Sequence, residues 1–158
     1  MIAIEVYELL GEICSSHGAY YSVMDCDSLP RVNVPKYPMA LVVNTSPAPR
    51  EGHWVGMYMQ DELGPIEFFD TFNLPPSGYN DHFVPFIRRM SNQLITMPRA
   101  IQCVDSNYCG HHCLHYMHSR MKRMTIENIY TNIFQPGCRN NDLRSKIFVR
   151  KLKDANAV

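Results

Sequence analysis

The sequence has no apolar run that approaches the roughly 18 residues of a membrane helix, and its first residues do not read as a signal peptide. We therefore expect an intracellular protein that is neither secreted nor inserted in a membrane. Internal repeats and low-complexity tracts are also lacking. With 158 residues, 46% of them hydrophobic and 19% charged, the composition predicts a single globular domain over residues 1–158.

A disulfide framework is a second feature that the sequence lacks. Its six cysteines show no paired spacing: Cys14, Cys26, Cys103, Cys109, Cys113 and Cys138. Together with ten methionines, they favour a reducing compartment. Disulfides are therefore not the default expectation.

The sequence also lacks a net charge, because 15 Lys and Arg residues balance 15 Asp and Glu residues. The balance hides an asymmetry. Residues 1–119 carry 6 basic and 12 acidic side chains, whereas residues 120–158 carry 9 and 3. The basic C-terminal part is a candidate surface for DNA or an acidic partner, with a solvated helix face as the alternative.

What is present begins with the stretch Gln102-Cys-Val-Asp-Ser-Asn-Tyr-Cys109, a short polar loop that leads into a predicted helix. Ser106 and Asn107 are favourable N-cap residues, and apolar residues follow at the spacing of a buried helical stripe: Cys113, Tyr116, Met117, Met121 and Met124. Cys109 is thus predicted at the helix N-terminus, where free N–H groups and the dipole stabilise a thiolate. This position is typical of a nucleophile. A small buried hydrophobic residue is the alternative reading.

A predicted hairpin brings a histidine and a carboxylate together. Apolar segments at residues 54–60 and 66–70 flank a turn-like tetrapeptide and indicate antiparallel strands. If the two middle turn residues form the loop, Asp70 pairs with Val55, and His53 lies diagonally from Asp70 on the same face. Diagonal neighbours are about 7–8 Å apart, within reach of an imidazole and a carboxylate. A register slip of one residue would separate them.

The remaining pattern predicts the fold class. Residues from Gly18 to Pro35 indicate an ordered surface loop that could line a groove. Helices are predicted at residues 2–14, 81–92, 126–134 and around 143–152, and strands at 39–44 and 94–104. We expect an α+β fold in which a small, mostly antiparallel sheet carries His53 and Asp70. The sheet packs against helices, and the central helix starts at Cys109.

These residues suit the chemistry of a cysteine protease. Cys109 would attack the substrate carbonyl, and His53 would act as base and then as acid. Asp70 would orient the imidazole, and the Gln102 amide with the Cys109 N–H would form the oxyanion hole. Gly110 would leave room for substrate beside the sulfur.

Further candidates line the expected cleft or suggest metal binding. Trp54 is predicted as a core residue that also shapes the cleft, and Asn44 as a strand-end cap beside it. A rival reading is a metal-binding module, because one helix carries His111, His112, Cys113, His115 and His118. No CxxC or HExxH pattern supplies further ligands, so we predict no metal site.

The sequence resembles the adenovirus protease (adenain) family, whose members also occur in virus-like DNA transposons, and more distantly the Ulp-type SUMO proteases. The likeness extends over Gly18-Ala-Tyr-Tyr, Val42-Val-Asn44-Thr45, His53-Trp54, Phe69-Asp70-Thr-Phe72 and Gln102-x6-Cys109-Gly110. The order His, acid, Gln, Cys is that of the family, as are the intervals of 17 residues from His53 to Asp70 and 7 from Gln102 to Cys109.

The resemblance implies a monomeric maturation protease of viral or virus-like precursor proteins, located in the host nucleus and the virion. It requires no cofactor but could be activated by DNA or by a peptide. Two residues depart from adenain: Asp70 stands in place of the usual glutamate, and Leu94 stands where the cysteine that tethers the activating peptide is expected. An activating peptide would thus bind without a disulfide. A SUMO- or ubiquitin-directed isopeptidase and a non-catalytic peptide-binding module are the alternatives.

Overall fold

The structure is a computed structural model that describes residues 1–47, 50 and 52–157. Its helices are α1 (Ala3–Cys14), α2 (Phe83–Met90), α3 (Cys109–Met121), α4 (Ile126–Asn132) and α5 (Cys138–Asn156). Its strands are β1 (Tyr20–Asp25), β2 (Met39–Asn44), β3 (Trp54–Met59), β4 (Ile66–Phe69) and β5 (Leu94–Thr96). None of the helices in these ranges is long and apolar enough to cross a membrane.

The five strands form one mixed sheet in the order β1-β2-β3-β4-β5. The central pairs β2-β3 and β3-β4 are antiparallel, whereas each outer strand runs parallel to its neighbour. The α+β fold with a sheet packed against helices is as predicted. The two parallel pairings make the sheet mixed rather than mostly antiparallel.

Strands β2 and β3 are buried along their whole length because elements cover both faces of the sheet. One face packs against α1, α3, α4 and α5, with Val42, Tyr58 and Phe69 among the shared core residues. The other face packs against α2 and the 3-10 segment Cys26–Arg31. The continuous apolar pattern of these strands thus follows from burial on two sides.

Strand β1 corrects the prediction of a loop from Gly18 onward. It pairs in register with β2, with Tyr20 opposite Met39 and Asp25 opposite Asn44. All six of its residues are half-buried, so its sequence shows no alternation of apolar and polar residues. The prolines and acidic residues that follow favoured the loop interpretation.

The hairpin register is the one predicted from the turn. Gly56 pairs with Phe69, Met57 with Phe68 and Tyr58 with Glu67. Continued by one residue, this register sets Asp70 opposite Val55, so that His53 and Asp70 lie on the same face.

Helix α3 packs tightly against this hairpin. A side chain at Gly56 would approach Met117 Cε to 2.8 Å, so any larger residue would require the Met117 side chain to move. Buried Glu67 accepts hydrogen bonds from Tyr116 and from Arg120, whose Nη2 lies 2.7 Å from Glu67 Oε2. These contacts fix α3, and with it the position of Cys109, relative to the strands.

A disulfide between Cys103 and Cys138 corrects the expectation of six free cysteines. The two residues are 35 positions apart, and the tertiary fold sets the start of α5 beside the segment that precedes α3. Cys14, Cys26, Cys109 and Cys113 are free thiols. Sequence spacing alone does not reveal such a non-local pair.

Candidate active site

Cys109 is the first residue of α3, as the sequence predicts. The N-cap is Tyr108, without a side-chain cap, rather than Ser106 or Asn107. The backbone N–H groups of Trp54 and Gly110 are among the causes that lower the pKa of the Cys109 thiol. The helix start and these donors together favour a negatively charged sulfur.

His53 precedes β3 and lies between the sulfur and a carboxylate. Its Nε2 is 2.7 Å from Asp70 Oδ1, and its ring also hydrogen-bonds Cys109. The imidazole lies against the rings of Phe72 and Tyr79, with centroid distances of 4.8 and 5.8 Å. These contacts fix the plane of the ring, with Nε2 directed toward the carboxylate.

Asp70 is buried and accepts four hydrogen bonds. His53 Nε2 and the Phe72 N–H contact Oδ1, whereas the Leu74 N–H and the Tyr79 hydroxyl contact Oδ2 at 2.8 and 2.6 Å. Burial would raise the pKa of this carboxyl, but the hydrogen bonds from His53 and Tyr79 outweigh burial and hold the pKa below its ordinary value. Asp70 is therefore a fixed negative charge beside the imidazole.

The pKa values of His53 and Cys109 shift in opposite directions. Burial would lower the pKa of His53, but hydrogen bonds with Asp70 and Cys109 raise it to about 9. Burial would raise the pKa of Cys109, but the hydrogen bond and charge of His53 lower it below its ordinary value. Both shifts favour the thiolate–imidazolium form of the pair, in which a cysteine attacks and a histidine can protonate a leaving group.

Gln102, which is itself buried, lies seven residues before Cys109, and two contacts orient its amide. Thr71 Oγ1 donates to Gln102 Oε1 at 2.6 Å. Gln102 Nε2 donates to the Ser106 carbonyl at 3.0 Å and carries a second hydrogen. The amide thus has a donor that could serve an oxyanion.

A cleft of about 390 Å³ opens beside Cys109. Asn44, Gly52, Trp54 and Asn107 are among the residues that line it. A larger groove of about 550 Å³ lies near the β3–β4 turn and the end of α2, and none of the candidate catalytic residues lines it. The cleft beside the sulfur is where a substrate could bind.

The three predicted cleft residues differ in what they contribute. Trp54 is mostly buried and lines the cleft, and Asn44 ends β2, where its Oδ1 accepts from the Ser46 N–H at 3.0 Å. Gly110 lies beneath Trp54 and Met1, and a side chain there would approach Trp54 Cδ1 to 3.3 Å. The nearest neighbours of Gly110 are thus the protein's own side chains, and a role for Gly110 in substrate binding stays a prediction.

Comparison with known proteins assigns the fold. No family model matches the sequence, and no curated protein matches it. Two crystal structures of the ASFV pS273R protease, one of them of the Se-Met protein, superpose on 91% and 92% of this chain with TM-scores of 0.60 and 0.62. The chain has the fold of this protease.

The likeness to the ASFV pS273R protease is one of structure at 14% and 15% sequence identity. The present chain spans 65% and 66% of the length of those protease chains, slightly less than two thirds. The comparison confirms the predicted α+β fold with a sheet packed against helices. The chemistry of the site is argued from the side chains of this chain.

Two residues of the site were missed by sequence reasoning. Tyr79 donates to Asp70, and Thr71 orients Gln102, yet both lie in the loop between β4 and α2. Thr71 lies within the segment Phe69-Asp70-Thr-Phe72, so its proximity to Asp70 was a usable signal. Tyr79 is nine residues from Asp70, and no local pattern marks it.

The histidines of α3 are occupied in packing. His112 is fully buried, with its two ring nitrogens 2.8 Å from Asp142 Oδ1 and from Ser145 Oγ. His115 stacks on Phe148 at a centroid distance of 4.4 Å, and burial lowers its pKa to about 3. Within residues 1–47, 50 and 52–157, no three His, Cys, Asp or Glu side chains are grouped to hold a metal ion.

Proposed function

We propose that the protein is a cysteine endopeptidase that cleaves precursor polypeptides through a Cys109, His53 and Asp70 triad. The observation that carries the proposal is the geometry at the start of α3: Cys109 lines the cleft, and the imidazole of His53, which lies 2.7 Å from Asp70 Oδ1, favours the Cys109 thiolate. Such a pair beside an open cleft is the signature of an activated nucleophile.

The geometry supports a two-step hydrolysis. The Cys109 thiolate attacks the substrate carbonyl carbon, and the carbonyl oxygen gains a negative charge that the Gln102 amide and the Cys109 N–H stabilise. His53 then donates its proton to the leaving amine as the C–N bond breaks, which leaves a thioester on Cys109. Water, deprotonated by His53, attacks the thioester and releases the acid product and the thiolate.

Membership of the adenain type is part of this proposal. Its support is the order and spacing of His53, Asp70, Gln102 and Cys109, together with a fold shared with a viral protease. On this basis the substrates are viral or virus-like precursor proteins, and the enzyme acts as a monomer in the host nucleus and in the virion. Asp70 in place of glutamate is the departure from adenain.

Activation by DNA belongs to the same proposal. Helix α5 presents a row of exposed cationic side chains: Lys146, Arg150, Lys151 and Lys153. Such a row can bind the phosphates of DNA without reading sequence. An activating peptide would bind without a disulfide, since Leu94 occupies the position where the tethering cysteine was expected.

The pH dependence of two reactions tests the proposed pair. Peptide hydrolysis needs both the thiolate and the imidazolium, so kcat/KM is expected to rise as Cys109 ionises below the ordinary thiol pKa and to fall near pH 9 as His53 loses its proton. Alkylation of Cys109 by iodoacetamide needs only the thiolate, and its rate should not fall near pH 9. Buried Cys14, whose pKa burial raises to about 12, is the internal slow control.

Peptide mapping after treatment with limiting iodoacetamide at pH 6 to 7 compares the rates at which the cysteines are alkylated. Cys109 should be alkylated fastest. Equal rates at Cys109 and at the buried free cysteines would contradict the ion pair. A wild-type protein in which Cys109 is hyper-reactive but no peptide is hydrolysed, with or without DNA, would instead point to the non-catalytic binding module.

Replacing Gln102 tests the oxyanion hole. Gln102→Ala is expected to lower kcat for peptide hydrolysis by about 100- to 1,000-fold, the usual effect of losing one such donor. Cys109 alkylation should be unchanged, because displacement of iodide develops no oxyanion. The exposed Gln93→Ala is the matched control and should retain wild-type kcat. An unchanged kcat in Gln102→Ala would remove Gln102 from the mechanism.

An isopeptidase acting on a SUMO- or ubiquitin-like protein is the second candidate. The aspartate at position 70, the acid that Ulp-type enzymes use, favours it. Parallel assays with a ubiquitin-like protein extended at its C-terminus and with a peptide library discriminate the two functions. Faster turnover of the ubiquitin-like substrate would replace the precursor-processing assignment.

A further inference from the structure

The first turns of α5 contact the segment that carries Gln102. Asn141 Nδ2 donates to the Ile101 carbonyl at 3.2 Å, directly before Gln102. Cys138 is bonded to Cys103, directly after Gln102. The oxyanion residue is therefore flanked on both sides by contacts with one helix.

Of the α5 residues that contact this segment, Asn141 is the most deeply buried. The residue is 1% exposed, and its Nδ2 donates a second time, to the Gln135 carbonyl at 2.6 Å. A buried carbonyl that loses its donor is destabilised, so Asn141 holds the Ile101 carbonyl firmly in place. By contrast, Arg139 and Asp105 form an exposed ion pair of the kind that contributes little.

Thr71 holds the same segment from the opposite side. Its carbonyl accepts from the N–H groups of Ile101 and Gln102 at 2.8 and 3.3 Å, and its hydroxyl binds the Gln102 side chain. The segment thus lies between Thr71, next to the triad acid, and Asn141 on α5. Removing either side frees the backbone from which the Gln102 amide projects.

Helix α5 is itself fixed to the helix that carries the nucleophile. Asp142, adjacent to Asn141, accepts from His112 at 2.8 Å, and His112 also pairs with Ser145. His112 is three residues after Cys109 on α3. Helix α5 therefore contacts both the Gln102 segment and the helix that carries Cys109, and it links the two.

We propose that Asn141 is a positioning residue for the oxyanion hole: its amide holds the Ile101 carbonyl and thereby sets the distance of the Gln102 amide from Cys109. The proposal rests on the proposed peptidase function. Asn141 Nδ2 contacts the Ile101 and Gln135 carbonyls, so the proposal predicts that its effect on catalysis passes through Gln102.

A double-mutant cycle tests this dependence. Asn141→Ala and the isosteric Asn141→Asp, which lacks the N–H donors, are each expected to lower kcat by tenfold or more, toward the roughly 100-fold effect of a 1 Å displacement. KM and the rate of Cys109 alkylation should stay at wild-type values. In a Gln102→Ala background, Asn141→Ala should cause no further loss of kcat.

The control is Thr125→Ala, which removes the N-cap of α4, where Thr125 Oγ1 accepts from the Asn128 N–H. This variant lowers stability without touching the Gln102 segment and should retain kcat. An equal loss of kcat for Asn141→Ala with and without Gln102, or a matching fall in Cys109 alkylation, would overturn the proposal.

A readout without catalysis separates this proposal from the proposed function. The side-chain amide resonance of Gln102, followed by ¹⁵N NMR, should shift in Asn141→Ala and stay in place in Thr125→Ala. Wild-type protein that hydrolyses no substrate would refute the peptidase function alone. An unmoved Gln102 resonance in Asn141→Ala would refute the role of Asn141.

Discussion

Cys109→Ala is expected to abolish peptide hydrolysis, with a loss of about 10⁵-fold or more in kcat, as removal of a covalent nucleophile generally causes. No other free cysteine can replace it, because Cys14, Cys26 and Cys113 are all buried. The variant should still fold, since a half-buried sulfur at a helix start contributes little packing. Circular dichroism and thermal unfolding check the fold, and a fluorogenic peptide assay checks the activity.

Cys113→Ser is the matched control for this experiment. Cys113 lies one turn further along α3, is fully buried, and donates to the Trp54 carbonyl at 3.6 Å. A serine keeps the donor, so activity should persist after any small loss of stability. An inactive but folded Cys113→Ser together with an active Cys109→Ala would reverse the assignment of the nucleophile.

His53→Ala should match the loss of activity at Cys109, because without the imidazolium the thiolate loses its partner and the leaving amine loses its proton donor. The same change should slow alkylation of Cys109 at pH 6 to 7, since the hydrogen bond and charge of His53 are the largest of the causes that lower the thiol pKa. Stopped assays of hydrolysis and mass-spectrometric labelling measure both effects on one preparation.

Asp70→Asn provides the graded comparison. It keeps the shape of the side chain but removes the charge that helps to raise the pKa of His53. More activity should therefore remain than in His53→Ala, as is usual when only the orienting acid is changed.

A His53→Ala variant as active as wild type would exclude the ion pair. So would alkylation of Cys109 that is equally fast with and without His53.

The parts of the site that sequence reasoning located depend on local patterns. The two-residue turn sets the register of β3 and β4, and this register alone makes the contact of His53 with Asp70 predictable. The start of α3 follows from a polar loop and a helical apolar stripe. Both signals are local, since each involves one continuous stretch of the chain, from His53 to Asp70 and from Gln102 to Met124.

The parts that were missed depend on non-local pairing. Strand β1 exists because Tyr20–Asp25 lies beside β2, and its half-buried residues carry no alternation that would reveal a strand. The loop that follows β4 places the Tyr79 hydroxyl beside Asp70. Cys103 and Cys138 come within bonding distance because α5 packs on α3. Such contacts follow from the arrangement of whole elements, which a single sequence does not specify by pattern.

The attachment of α5 to the Gln102 segment also has a consequence for the order of events during synthesis. His53, Asp70, Gln102 and Cys109 all leave the ribosome before α5 does, yet the contacts of Cys138 and Asn141 complete the support of Gln102. The contacts of the Gln102 segment are therefore complete only once α5 has been made and has packed against it, so the support of this segment forms after the four residues of the site are already in the chain.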